Sequence, residues 1–293
     1  MWKILNKRMN SFSSRWPTLN PITRRILQVR YHFSLVFLFL SSNVVYPDAP
    51  FSHQALDQIL GAYVDSLGRV DYAGLKKSRQ LLDTYTDSLA LYSPHSHPAR
   101  FPTRNHSLAY WINAYNALVL KGVVDAYPID SVKDIKILNG FFRRTNFSVG
   151  GRAITLDAIE NQIIRPDFRD ARIHAVVNCA AASCPELERR AFRGEDLQER
   201  LQAAFFRFAN DPQYVFLDRK NRKLHLSKIL DWYGHDFSAW FPAEHIPSAS
   251  KPTLIDYLSL YLPAEDSTFL RQHPDIAISF NLYDWALNQQ SHP

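Results

Sequence analysis

Apolar residues first fall into helical register at Leu56, Ile59, Leu60 and Tyr63, a stripe that one face of a helix would bury. Gly68 breaks the run, and Val70-Asp71-Tyr72 reads as extended. Leu81, Leu82, Tyr85 and Leu89 predict a second helix, ended by the stretch between Pro94 and Pro102. A third runs over about residues 107–126, with Trp111, Tyr115, Leu118 and Gly122 along one stripe. Residues 147–149 and 153–155 flank Gly150-Gly151 and predict a short hairpin. Residues 156–164 predict a fourth helix, with Thr155 or Asp157 at its start.

Further along, Leu197, Leu201, Ala204, Phe205 and Phe208 predict an amphipathic helix stopped at Asn210-Asp211-Pro212. Residues 214–217 and 223–226 read as two strands joined by a charged turn at Arg219-Lys220-Asn221. Ser227 can cap a helix carrying Ile229, Leu230, Trp232 and Tyr233, and residues 276–283 alternate like a strand. Helices dominate, strands are short, and no βαβ rhythm is present. The pattern predicts a helix-rich α+β single domain with short antiparallel strands over residues 48–293. It contains no internal repeat and no Gly-rich phosphate loop.

Composition is ordinary for a globular chain: 46% apolar and 21% charged in 293 residues. The net charge of +6 changes meaning once it is located. Lys3, Lys7, Arg8, Arg15, Arg24, Arg25 and Arg30 all precede the first acidic residue, Asp48. Removing those seven from 34 basic residues leaves 27 against 28 acidic ones. The body is nearly neutral, so no nucleic-acid partner is expected. The basic head is followed by the apolar run 33–40 and then Ser41, Ser42 and Asn43. That order predicts a signal peptide or N-terminal anchor over residues 1–47, and the run is too short for a confident membrane span. The expectation is an exported protein, periplasmic or extracellular, touching a membrane only through an uncleaved N-terminal segment.

Both cysteines of the chain, Cys179 and Cys184, fall in one segment, RIHAVVNCAAASCP at residues 172–185, together with His174, Asn178 and Ser183. The surrounding residues are small or apolar, as in a buried segment. Polar groups buried without partners cost a few kcal/mol each, so this cluster needs a reason. In an oxidising compartment two cysteines are more often bonded than free, although a ring this small stabilises less than a long loop.

Several blocks together resemble the domain-of-unknown-function 547 family. They are AYWINAYNAL at 109–118, ITLDAIENQIIR at 154–165 and RIHAVVNCAAASCP at 172–185, with weaker support from LSKILDWYGHDF at 226–237 and LYDWALN at 282–288. Ala180 stands where the family pattern often has Gly. The resemblance implies a shared fold and a shared site around the histidine and the two cysteines. It implies no reaction. The polar residues it aligns are Asn113, Asn116, Glu160, His174, Cys179, Ser183 and Cys184.

Two functions from different classes stay open. The first is a thiol hydrolase or acyltransferase acting on amide or ester bonds, with Cys179 as nucleophile and His174 as base. Glu160 would orient the histidine, and Asn113 would serve the oxyanion. Asn116, Trp111 and Ser183 would contact substrate. The five-residue offset from His174 to Cys179 puts the two on opposite faces of a strand, or about 140° apart on a helix. The dyad therefore requires a break between them, with a helix starting after Asn178 so that its dipole favours a Cys179 thiolate.

The alternative is a non-catalytic domain, stapled by a Cys179–Cys184 disulfide, that binds a small molecule or peptide in an aromatic groove built from Trp111, Trp232 and Trp285. Asn113 and Asn116 would then satisfy buried backbone groups, and Glu160 would pair with Arg165 or Arg172. A membrane-anchored scaffold held by residues 33–40 is a third possibility. No cofactor motif is present. No metal site is expected either, because Cys179, Cys184 and His174 lack a fourth ligand and His225 and His235 read as surface.

Overall fold

The computed structural model describes residues 49–136, 138, 140–242, 245 and 251–291. The expected N-terminal leader lies outside them. Helix α1 (Gln54–Tyr63) packs on α2 (Tyr72–Lys77) and α3 (Gln80–Leu91), and these two pack on the long α4 (Arg104–Ala126). Asp71 caps α2 by accepting from the Gly74 amide, so Tyr72 opens a helix and only Val70 keeps the extended conformation expected there. Thr103 caps α4 at the His106 amide, four residues upstream of the predicted start. From Leu108 to Val124 nearly every residue of α4 is buried, as for a helix running through a core.

A short α5 (Gly140–Arg144) leads to the predicted hairpin, β1 (Phe147–Val149) against β2 (Arg152–Ile154). Its turn uses Gly150 and Gly151 at φ +57° and +78°, a left-handed backbone that favours glycine. The predicted fourth helix starts at the Thr155 cap and continues further than expected. It runs without a break as α6 (Leu156–Ala158), a π-helical stretch Ile159–Ile164, and α7 (Arg165–Phe168).

The remaining elements are α8 (Leu197–Asn210), β3 (Val215–Asp218), β4 (Lys223–Leu226), α9 (Lys228–Trp232), α10 (Gly234–Ala239), α11 (Leu254–Ser259), α12 (Ala264–Gln272) and β5 (Ala277–Phe280). Ser227 caps α9 by accepting from the Ile229 amide. β3 and β4 are antiparallel, but β5 joins the other edge of β4 in parallel, contrary to the all-antiparallel expectation. The long excursion through α9–α12 lets the chain return in the direction of β4. The architecture is a helix-rich α+β domain with two small sheets. No helix among the described residues is long and apolar enough to cross a membrane.

Apolar side chains gather in two clusters. The larger surrounds α4; the smaller joins Phe205 and Phe208 of α8 to β4, α9, α10 and α11. The cysteine segment runs along their boundary: Ile173, Val176 and Ala180 face the first cluster, Ala171 and Ala175 the second. A segment that packs on both sides is fixed from both sides, which suits it to hold a site.

Candidate functional site

The cysteine segment begins as a 3-10 helix, Ala171–Ala175, capped by Asp170. No helix begins after Asn178, so Cys179 does not sit at a helix N-terminus and that expected source of thiolate stabilisation is absent. Side-chain amides shape the loop instead. Asn116 donates to the Val176 carbonyl at 2.9 Å and accepts from the Asn178 amide at 2.9 Å. Asn178 in turn donates to the Pro185 carbonyl and accepts from the Ala180 amide, both at 2.7 Å. Ala180 itself has φ +63°, a left-handed conformation that explains why a glycine is the easier residue there.

The C-terminal segment pins the other side of the loop. The Ala182 amide donates to the Ala286 carbonyl at 2.7 Å, and the Asn288 amide to the Ala180 carbonyl at 3.0 Å. Ser183 Oγ accepts from the Asp284 amide at 2.9 Å. This docking brings Tyr283 and Trp285 against the loop. Cys179 and Cys184 form a disulfide with their Cα atoms 6.3 Å apart, leaving no free cysteine among the described residues. The Tyr283 hydroxyl lies 3.2 Å from each sulfur.

The disulfide forms part of the wall of a cleft of about 460 Å³, a volume suited to a small organic ligand. The same cleft is lined by Glu160 of the π-helical stretch and by Tyr233, whose hydroxyl donates to Glu160 Oε1 at 2.5 Å. Glu160 is only 8% exposed, and among the described residues it forms no ion pair. Arg165 bonds Asp236 and Arg172 bonds Asp170, so neither expected partner forms a salt bridge with it, although the Arg165 charge lies near enough to act on it. Burial, then the nearby Glu160 charge, pushes the Tyr115 and Tyr233 hydroxyls well above their ordinary range. Burial does the same for Tyr283. All three remain hydroxyl donors at any physiological pH.

Trp232, Tyr283 and Trp285 make an aromatic rim, with ring centroids 4.6–5.9 Å apart. Trp232 is 46% exposed, while Lys133 covers one face of Trp285 at 4.3 Å. Arg143 and Asp157, also on the cleft, face each other at 3.5 Å and offset one another's charge.

His174 is buried on the same cleft, its ring stacked on Tyr233 with centroids 4.0 Å apart. Its Nε2 meets Asp236 Oδ2 at 2.9 Å, so the carboxylate that orients it is Asp236 and not Glu160. Arg165 donates twice to Asp236, from Nε and Nη2 at 2.7 Å each. Burial would raise the Asp236 pKa, but hydrogen bonds from His174 and Arg165 outweigh it and hold the group below the usual carboxylate range.

Residues 99–208 match the family described as "Protein of unknown function, DUF547". Over this segment the chain is similar to the DUF547 family. No curated protein and no solved structure matches the chain significantly. The first three resembling blocks fall inside the DUF547 segment; the blocks at 226–237 and 282–288 lie beyond it. The cleft is therefore composite. The DUF547 segment supplies Glu160, His174 and the disulfide, and the rest of the chain supplies Tyr233, Tyr283 and the two rim tryptophans, with Asp236 bonding His174.

The structure thus brings Glu160, His174, Cys179, Cys184, Trp232 and Trp285 onto one cleft and leaves Asn113, Asn116, Trp111 and Ser183 off its wall. Both ends of the Asn113 amide are used on the Phe192 backbone, donating to its carbonyl at 2.8 Å and accepting from its amide at 2.9 Å. Asn116 and Ser183 hold the disulfide loop, and Trp111 is buried, its ring centroid 5.4 Å from that of His95. Tyr233, Asp236 and Tyr283 were not singled out in the sequence, although all lie within or beside the two weaker blocks. Among the described residues no cluster of His, Cys, Asp and Glu could hold a metal ion.

Proposed function

We propose that the cleft binds a small organic ligand with an apolar body and a cationic amine end, held by the aromatic rim and by Glu160. One observation carries this reading: Glu160 is a buried carboxylate on the cleft wall with phenol donors and, among the described residues, no salt bridge, since Arg165, whose charge it feels, is bonded to Asp236. Burying such a charge is costly, and a ligand ammonium would offset the cost. The rings of Trp232 and Tyr283 on the cleft wall suit the same group through cation–π attraction, worth roughly 0.5–2 kcal/mol per ring. The protein is read as exported, and a disulfide between its two cysteines is compatible with an oxidising compartment.

Titration with benzyltrimethylammonium, benzyl alcohol and phenylacetate, followed by tryptophan fluorescence, checks the proposal. The cation is expected to bind at least five-fold more tightly than the other two, and Glu160→Gln to remove most of that preference. Equal binding of all three probes, or a preference that survives Glu160→Gln, would overturn the charge reading. Absence of any binding would overturn the ligand-binding reading itself.

A second reading has one observation in its favour. His174, oriented by Asp236, shares the cleft with Cys179, as a thiol hydrolase or acyltransferase would require. It needs the Cys179–Cys184 bond opened first, so ligand binding is the function the closed site supports best.

A further inference from the structure

We propose that the Cys179–Cys184 bond is a site of thiol–disulfide exchange, attacked at Cys179 by a low-molecular-weight thiol entering the cleft. This goes beyond ligand binding and shares with it only the cleft.

Three observations carry the proposal. First, the loop does not depend on the bond for its shape. Asn116, Asn178, the backbone of residues 284–288 and the Tyr214 hydroxyl, which donates to the Cys184 carbonyl at 2.9 Å, hold it from every side. A disulfide closing so short a ring adds little to a loop fixed in this way. Second, the two sulfurs are not equivalent. Both border the cleft, but Cys184 is 5% exposed whereas Cys179 is half-buried, so an incoming thiol meets Cys179 first. Third, donors are already placed on the sulfur that would leave. The Cys179 backbone amide donates to Cys184 Sγ at 3.0 Å, and the Tyr283 hydroxyl, 3.2 Å from both sulfurs, can turn to Cys184 as the bond opens. Hydrogen bonds to a thiolate lower its pKa, and a less basic thiolate leaves faster.

The chemistry balances without a further reagent. An incoming thiol loses its proton to solvent, and its sulfur bonds Cys179 Sγ. The Cys179–Cys184 bond breaks, and its electron pair goes to Cys184 Sγ as a thiolate held by the two donors. A second thiol then attacks the mixed disulfide at the small-molecule sulfur. It releases the oxidised small-molecule disulfide and leaves Cys179 reduced. Two thiols are oxidised and one protein disulfide is reduced.

The test treats the full chain with millimolar reduced glutathione under native conditions, quenches with acid, alkylates and maps the cysteines by mass spectrometry. Expected are reduction without loss of the near-UV circular dichroism spectrum, and a transient glutathione adduct on Cys179. Tyr283→Phe should slow reduction roughly tenfold, the worth of one hydrogen bond to a charged group. A bond that resists glutathione until urea unfolds the chain would mark a structural staple and overturn the proposal, as would an adduct on Cys184. An unchanged rate in a folded Tyr283→Phe protein would overturn the role of the hydroxyl; should that variant not fold, the wild-type adduct position decides alone. Benzyltrimethylammonium in the same cleft should slow the exchange. Exchange that proceeds unhindered would leave this proposal standing while the ligand-binding reading falls.

Discussion

Asp236→Ala is expected to lower the unfolding free energy by about 3 kcal/mol, measured by urea denaturation at neutral pH. The carboxylate is 2% exposed and accepts from three nitrogens, two on Arg165 and one on His174. Removing one partner of a buried charge pair typically costs about 3–5 kcal/mol, because the remaining charge stays desolvated. The Arg165 side chain is partly exposed and can recruit water, which places the cost at the low end of that range. Asp236→Asn should cost less, since the amide oxygen still accepts one bond. The effect reaches the cleft. Asp236 ties α10 to α7 and to the 3-10 helix of His174, and His174 is the surface on which Tyr233 stacks. A loss below about 1 kcal/mol would mean that the triad is not what joins these walls.

A second large effect is expected from His53, far from the cleft in sequence. Its Nδ1 meets the Tyr85 hydroxyl at 2.7 Å, and Phe51 and Tyr110 crowd its ring. Burial, followed by the charge of Arg193, pushes its pKa down from 6.5 to about 4, with Asp57 and Glu195 opposing and His106 adding to the fall. The folded state therefore refuses a proton that the unfolded chain accepts below pH 6.5. Stability from this group is complete above pH 6.5 and is lost as pH falls towards 4. The loss amounts to about 3 kcal/mol. His53→Asn keeps a polar atom facing Tyr85 but cannot titrate. Urea unfolding at about pH 7 and pH 4 should show the wild type losing about 3 kcal/mol more than the variant over that interval. Parallel pH dependence in the two proteins would contradict the assignment.

Local patterning carried most of the elements. The helical stripes at Leu56–Tyr63 and Leu197–Phe208, the Gly150-Gly151 turn and the Ser227 cap are all short-range signals, and each lies where expected. The parallel return of β5 was not legible, because a strand's own alternation does not say which neighbour it will join. At the cleft the sequence pointed to a segment that lines its wall and to several contacts that the structure does not make. Glu160 carries nothing local to show that its partner is Tyr233, 73 positions away, or that Arg165 is already held by Asp236. Asn113 and Asn116 looked the same on one helix face. Only the tertiary structure shows Asn113 fastening the Phe192 backbone while Asn116 shapes the cysteine loop. The three tryptophans of the resembling blocks were readable as one groove. Trp111 went to the core and Trp232 and Trp285 to the rim, a division that depends on which side of the loop each segment docks.

The most direct test of the binding reading is a crystal structure of the full chain soaked with benzyltrimethylammonium. The account predicts density in the cleft, with the ammonium beside the Glu160 carboxylate and within about 6 Å of the Trp232 or Tyr283 ring. A saturated soak with the cleft empty, or with the probe bound elsewhere, would contradict it.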